Sequence, residues 1–416
     1  MFIMGSSSMR IAAIVFYLCF LTFATFHNCF CNGNSSIVCS KTEKQALLKF
    51  KQDLKDPSNR LSSWAGDDCC QWSGVVCDNF TGHVHEIHLD NADCNYNGNY
   101  PEYEACWLYH HLRYLDLSNA GFSRAIPHQL GNLTMMRYLD LSRNSVFLQG
   151  TFPEIELHLR GDNLHWVLGL LSLQPLDMSL VNLSTAVDWL EGISTFPSLV
   201  ELHLAECDLK YSSPSTTINF TSIHILDFSV NYFGPSIPKW IFSLNHLVSL
   251  DISGWNFYGP IPNGIKNITS LKEFYASGNN LNSPLPKELF NLKDLVSLGL
   301  SFNNFQGSIP IGLLNMTSLR DLDLSNNFFT SLPNGLLSSL RCLELVILNQ
   351  NHLQLQGVIS GAIGNLTSLI SLDMSHNQVE GNIPRSLGKL CKLKTIDLSY
   401  NKLGGEHSSK SRYRVT

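Results

Sequence analysis

Residues able to do chemistry fall into a few sets. His83-Val-His85-Glu86-Ile-His88 places three imidazoles and a carboxylate within six positions, the raw material of a metal site. If Val84, Ile87 and Leu89 face a core, then His85, Glu86 and His88 project from the opposite face. Metal-bound imidazoles need partners for their second nitrogen, and none can be named. Aspartates recur at Asp116, Asp140, Asp177, Asp227, Asp251, Asp323, Asp373 and Asp397. A glycosidase acid and base must be two carboxylates roughly 5–9.5 Å apart in different environments. Identical aspartates repeated once per unit share a single environment, in a column spaced about 4.8 Å, and read as solvated surface charge. No Walker loop, dinucleotide glycine set, nucleophile elbow or kinase motif is present. The sequence therefore supplies no catalytic, metal or cofactor residues, and it points away from an enzyme.

The remaining chemistry is modification. Asn-X-Ser/Thr acceptors for asparagine-linked glycan occur at Asn34, Asn79, Asn132, Asn182, Asn219, Asn267, Asn315 and Asn365. Asn132, Asn219, Asn267, Asn315 and Asn365 each lie four residues before an apolar residue that opens a repeated phrase, so they are expected on one outer flank. Of twelve cysteines, Cys39, Cys69, Cys70, Cys77, Cys94 and Cys106 cluster early, whereas Cys207, Cys342 and Cys391 are scattered. A front-loaded cluster suggests a disulfide-stapled module made in an oxidising compartment. Zinc is the rival reading, and adjacent Cys69-Cys70 suits its usual ligand spacing poorly.

Export fits the N-terminus. Arg10 precedes an uncharged run, Ile11 to Phe26, and a polar exit follows at Asn32-Gly33-Asn34-Ser35-Ser36. This order describes a signal peptide over residues 1–31; a retained signal anchor is the alternative, and the run is short of the roughly 20 apolar residues of a membrane span. No later segment is long and apolar enough to span, so the mature chain is expected to be secreted without a membrane span. Net charge is −6 with 15% charged residues, and no basic stripe suggests nucleic acid.

What must position these residues is a repeat. The phrase Leu-x-x-Leu-x-Leu begins at Leu199, Ile223, Leu247, Leu271, Leu295, Leu319 and Leu343, each 24 residues apart, then at Leu369 and Leu393. Val84, Leu112, Met136 and Leu173 start it with looser spacing, and residues 148–172 read as one degenerate repeat. In Leu295-Val-Ser-Leu298-Gly-Leu300 the leucines point inward from a short strand and the intervening residues outward. Asn303 follows three residues later, with equivalents at Asn144, Asn231, Asn279, Asn327, Asn351, Asn377 and Asn401. A buried asparagine amide can satisfy turn backbone in its own and the neighbouring coil. Cys207 fills this slot once, and Ala120, Val181 and Trp255 break the series. Gly259-Pro-Ile261-Pro262, Gly307-Ser-Ile309-Pro310 and Gly381-Asn-Ile383-Pro384 then mark a short extended segment. One unit cannot bury its own leucines, so the units stack into a solenoid with a parallel ladder on its concave side.

The 24-residue unit with Leu-x-Gly-x-Ile-Pro resembles the plant-specific leucine-rich repeat. The preceding segment, Cys39, Glu43-Lys-Gln-Ala-Leu-Leu-Lys-Phe50, Trp64, Cys69-Cys70, Trp72 and Gly74-Val-Val-Cys77, resembles that family's N-terminal cap, and its wording is similar to plant receptor-like proteins that perceive fungal xylanase elicitors. The resemblance implies an α/β repeat fold, a right-handed solenoid with a concave parallel β-sheet and a disulfide-stapled cap. Residues 32–82 would be the cap, 83–405 about thirteen repeats and 406–416 a non-repeat tail. It implies pairing of Cys39 with Cys69, Cys70 with Cys77, and Cys94 with Cys106. Receptor-like proteins of this family continue through more repeats into an anchor, so the chain reads as a truncated product whose last coil (Leu393, Ile396, Leu398) exposes apolar surface and favours aggregation. A full-length form would sit at the plasma membrane.

Recognition then falls to outward strand positions: Glu201, His203, His224, Lys272, Glu273, Tyr275, Phe302, Arg320 and Asp321, with Trp255 at the ladder's end. Exposed aromatic and charged groups on a rigid face suit a protein or peptide ligand. The resemblance implies defence or development signalling through a co-receptor kinase. The alternative is a secreted inhibitor of pathogen wall-degrading enzymes, similar to polygalacturonase-inhibiting proteins.

Overall fold

A computed structural model describes residues 38–404, apart from 54–55, 57–58, 90–112, 149–154, 188, 195, 211–217, 219 and 355–360. The expected signal peptide, Asn34, Asn219, Cys94, Cys106 and the tail from 405 lie outside the described residues.

The first described element is helix Lys41–Asp53, whose Leu47 and Phe50 are buried. Phe50 packs against Trp64 and Phe122, so the helix covers the apolar end of the first coils. Its Glu43 carboxylate accepts from the Val84 N–H at 2.9 Å and meets His83 Nδ1 at 2.9 Å, fastening the helix to the first parallel strand. Disulfides Cys39–Cys69 and Cys70–Cys77 close the cap, in the pairing the resemblance implies. Trp64 and Trp72 stack beneath them at 5.5 Å.

A 14-stranded sheet follows. Strand Val75–Cys77 pairs antiparallel with Val84–His88, and every later pairing is parallel. Through the middle of the chain the register is uniform: Leu202, Leu226, Leu250, Phe274, Leu298, Leu322 and Val346 pair in succession. Each strand is only about three residues long because the phrase supplies two inward positions before the turn. Those inward residues are fully buried, so every coil shields the leucines of the next. The result is the right-handed solenoid with a concave parallel sheet that the repeat implies.

Between the concave strands, short 3-10 turns such as Asn263–Asn267 and Ile311–Asn315 carry the chain across the outer side, each beginning directly after a proline. That proline lacks an N–H and presets φ for a turn start. Buried asparagines tie coil to coil. Asn303 Nδ2 donates to Ala276 O at 2.8 Å, and its Oδ1 accepts from the Leu281 N–H at 3.1 Å.

Residues 148–172 correct the expectation of a degenerate repeat. Leu139 pairs directly with Leu176 across this interval, whose described residues contribute no concave strand. Instead Ser145–Leu148 and Ile155–Arg160 form an antiparallel hairpin, and Arg160 joins the flank beside Ala125. The segment alternates like a strand but lacks the inward leucine phrase, so it pairs with itself. At the other end Leu393 and Ile396 are half-buried, whereas Leu369 and Leu372 are fully buried. No helix among the described residues is long and apolar enough to cross a membrane.

Candidate functional site: the concave face

The ladder fixes where each outward side chain stands. Residues before and between the inward leucines form columns running across the coils, at the strand spacing of about 4.8 Å. Glu201, His203, Tyr275 and Asp321 are half-buried in these columns; His224, Lys272, Glu273 and Arg320 are exposed. Phe302 stands at the strand's end with φ 51° and its side chain 62% exposed. The same slot has φ near 50° in other coils, at Val230, Asn326, Gln350, His376 and Tyr400, so the repeat's turn sets this backbone and leaves the side chain to water.

Trp255 does not belong to this surface. It occupies the asparagine slot, whose side chain points inward, and it is 2% exposed, stacked on Phe233 at 3.8 Å. The hydrogen bonds of this coil are kept by the next asparagine, since Asn279 Oδ1 accepts from the N–H groups of both Trp255 and Phe257. The tryptophan is core.

The aspartate column has a structural task. Asp116, Asp140, Asp177, Asp227, Asp251, Asp323, Asp373 and Asp397 each accept the backbone N–H of the serine two residues on, at 2.8–3.0 Å. Each thereby closes the turn that leaves the strand. Burial raises the pKa of Asp140 and Asp251 above the ordinary carboxylate value, against the hydrogen bonds from Ser142 and Ser253. His203 takes the place of an aspartate in this column. Its Nδ1 lies 3.9 Å from Asp227 Oδ2, and its Nε2 lies 4.0 Å from Glu201 Oε2. The Asp227 carboxylate, aided by Asp177 and Glu201, raises the imidazole pKa against the effect of burial.

The histidine-rich strand is internally satisfied. His88 Nε2 meets Glu86 Oε2 at 2.8 Å, while buried His85 places Nδ1 3.2 Å from Val76 O. Among the described residues the one group with metal-ligand proximity is Cys39, Cys69 and Cys70, already joined in disulfides. Cys207 fills the asparagine slot and donates its thiol to Met178 O at 3.1 Å; burial pushes its pKa up.

The sequence reading missed a second aromatic group. Tyr114 and Tyr138 stack at 4.2 Å with His88 next in line at 5.0 Å, all on the concave side. The signal was available, because Tyr-Leu-Asp stands at 114–116 and again at 138–140, with the tyrosine in an outward position.

Among the acceptor asparagines, Asn267, Asn315 and Asn365 are exposed at the last residue of equivalent 3-10 turns. Asn79 is also exposed. Asn182 is half-buried, its Nδ2 donating to Asp208 at 3.2 Å. Asn132 ends the turn His128–Asn132 in the same phase.

Comparison with known proteins fits this architecture. Residues 40–78 match the leucine rich repeat N-terminal domain family, and 111–133, 270–292, 318–340, 368–390 and 389–406 match leucine rich repeat families. The chain is 32% identical over 281 residues to receptor-like protein EIX1 of Solanum lycopersicum, covering 58% of this chain and 26% of that protein. It is 29% identical over 287 residues to receptor-like protein 6 of Arabidopsis thaliana, covering 57% of this chain and 28% of the relative. The matches thus span about a quarter of each relative's length. The Arabidopsis receptor kinase HAESA ectodomain, solved with an N-terminally extended IDA peptide hormone, superposes with a TM-score of 0.59 at 26% identity, covering 87% of this chain and 49% of that one. A Listeria monocytogenes internalin shares the fold alone, with a TM-score of 0.53 at 18% identity, covering 71% of this chain and 76% of that one. With its matched N-terminal domain, its matched repeats and its parallel ladder, the chain carries the leucine-rich-repeat fold and is similar to the plant receptor-like proteins.

Proposed function

We propose that this chain is an extracellular recognition surface that holds a peptide or protein ligand on its concave face and signals through a co-receptor kinase. It works by binding and carries out no catalysis. The observation that carries this reading is the outward column chemistry. Lys272, Glu273 and Tyr275 stand one strand away from Arg320 and Asp321, with Ser297–Gly299 between them in uniform register, and they differ from coil to coil while the inward positions stay apolar. A scaffold that only stacked would have no use for that diversity.

The relatives support the same reading. EIX1 and receptor-like protein 6 are named as receptor-like proteins, and the HAESA ectodomain has been solved with the peptide hormone IDA and the co-receptor SERK1. The place of action is the apoplast, or the outer face of the plasma membrane where an anchor holds the protein. Glycan at Asn267, Asn315 and Asn365 would clothe the outer flank and leave the ladder bare.

The test is capture from apoplastic fluid by the immobilised glycosylated chain, with bound species identified by mass spectrometry. Peptides released on elution, and lost when Lys272 and Arg320 are both changed to Glu, are the expected result. Capture of a polygalacturonase that loses activity on binding would replace this reading with the inhibitor one.

A further inference from the structure

Arg124 stands where the repeat takes glycine. Arg124-Ala-Ile126-Pro127 aligns with Gly259-Pro-Ile261-Pro262, Gly307-Ser-Ile309-Pro310 and Gly381-Asn-Ile383-Pro384. The backbone keeps the glycine shape, with φ 89° at Arg124 against 90°, 83° and 104° at the three glycines. An arginine there carries backbone strain that glycine escapes. The residue before it departs as well. Tyr258, Gln306 and Glu380 in that slot are exposed, whereas Ser123 is 1% exposed and its hydroxyl has no hydrogen-bond partner. This coil bears two local costs side by side, and they accompany an arginine that is exposed to solvent.

Two more arginines meet it on this flank. Strand Arg124–Ala125 runs parallel to Ile155–Arg160 with Ala125 opposite Arg160, and the Arg160 carbonyl accepts from the Ile126 N–H at 2.8 Å. The hairpin pairs Ser145 with His158, and the Leu159 N–H donates to Asn144 O at 3.0 Å. The same antiparallel register therefore brings Arg143 opposite Arg160. Arg124, Arg143 and Arg160 are all exposed. Arg160 Nε lies 3.8 Å from Asp162 Oδ1, and both side chains are largely in water, so that pair is weak. Arg124 and Arg143 make no side-chain hydrogen bond or ion pair with any described residue.

We propose that Arg124, Arg143 and Arg160 form a docking point for a carboxylate-rich segment of a protein partner, on the flank beside the concave face. Each guanidinium presents its N–H groups in a planar fork that matches a carboxylate. The three stand side by side across one small sheet rather than in a row along the solenoid. They suit carboxylates bunched on a short stretch of chain, as neighbouring Asp and Glu are, better than carboxylates strung evenly along an extended polysaccharide. The strained arginine supplies charge where the glycine of other coils would leave none. This site is separate from the concave columns, and the two readings can fail independently.

The test titrates acetyl-Gly-Glu-Glu-Glu-Gly-amide and its Gln counterpart against the full secreted chain by saturation-transfer difference NMR at low salt. The Glu peptide is expected to bind about three- to thirtyfold more tightly, an advantage that shrinks as salt is added. Arg124→Gly reads the proposal twice. It should lower that preference and, by restoring the glycine of the other coils, leave Tm unchanged or higher. Arg143→Gln and Arg160→Gln should lower the preference at unchanged Tm, and Arg385→Gln, at an exposed arginine of a distant outer turn, should change neither. Equal binding of the two peptides to the wild type, or an undiminished preference in Arg124→Gly, overturns the docking point. A lowered Tm in Arg124→Gly would make the arginine a structural residue and overturn it too. Tighter binding of trigalacturonate than of the Glu peptide would give the patch to a polysaccharide instead.

Discussion

Asn327 donates its side-chain amide to the carbonyl of Leu300, one coil earlier, at 2.9 Å, and the same side chain accepts from the Phe305 N–H at 3.0 Å. Its Nδ2 also reaches Leu324 O and Ser325 O within its own coil. One buried amide therefore ties the turns of two coils together. Equivalent bonds recur at Asn144, Asn231, Asn279, Asn303, Asn351, Asn377 and Asn401.

Asn327→Ala should leave buried backbone groups unpaired and cost about 2–4 kcal/mol of local stability. Hydrogen exchange reads this directly: the Phe305 amide is expected to lose protection, while Leu226 keeps its own. Unchanged exchange at Phe305 would remove the asparagine from its structural role.

Inward and outward positions should separate sharply by energy. Leu298→Ala opens a cavity in a fully buried site and should destabilise by about 2–5 kcal/mol. Phe302→Ala, at a side chain turned to solvent, should stay within about 0.5 kcal/mol, since alanine keeps the same Cβ in the left-handed region. Urea unfolding of the two variants makes the comparison. Similar losses in both would mean that Phe302 is packed.

Stability should depend on pH through His203. Its folded pKa is raised, chiefly by the Asp227 carboxylate. The contribution is therefore complete below the ordinary histidine value and is lost as pH rises through the raised folded value. Asp227 is lowered on balance: burial raises it, and the hydrogen bonds from His203 and Ser229 outweigh that, so its share persists until pH falls through the lowered carboxylate value. The Tm gap between wild type and His203→Gln should accordingly be wider at about pH 5.5 than at about pH 8.5. A gap independent of pH would show that the imidazole does not change charge there.

Enzymatic glycan release with mass detection should find sugar on Asn267, Asn315 and Asn365, which share one exposed place in their coils. Bare asparagines at all three, in protein secreted from plant cells, would contradict a sugar-coated outer flank.

The ladder was legible in the sequence because burial follows a strict rule here. Leu202, Leu250 and Leu298 recur at a fixed spacing, and nothing but a neighbouring coil can cover them. The cap disulfides Cys39–Cys69 and Cys70–Cys77 followed from resemblance rather than geometry. Trp255 was misplaced because its type suggested a binding surface, whereas its slot, set by the repeat, faces inward. Residues 148–172 were misjudged because strand-like alternation does not reveal which partner a strand will take.

Photocrosslinking tests concave-face recognition most directly. Benzoylphenylalanine at Lys272, on the ladder, and at Ile311, exposed on the outer turn, would be irradiated during capture from apoplastic fluid. A ligand attached through position 272 and absent from position 311 is the predicted result. A ligand attached only through 311 would place recognition on the outer side and contradict the account.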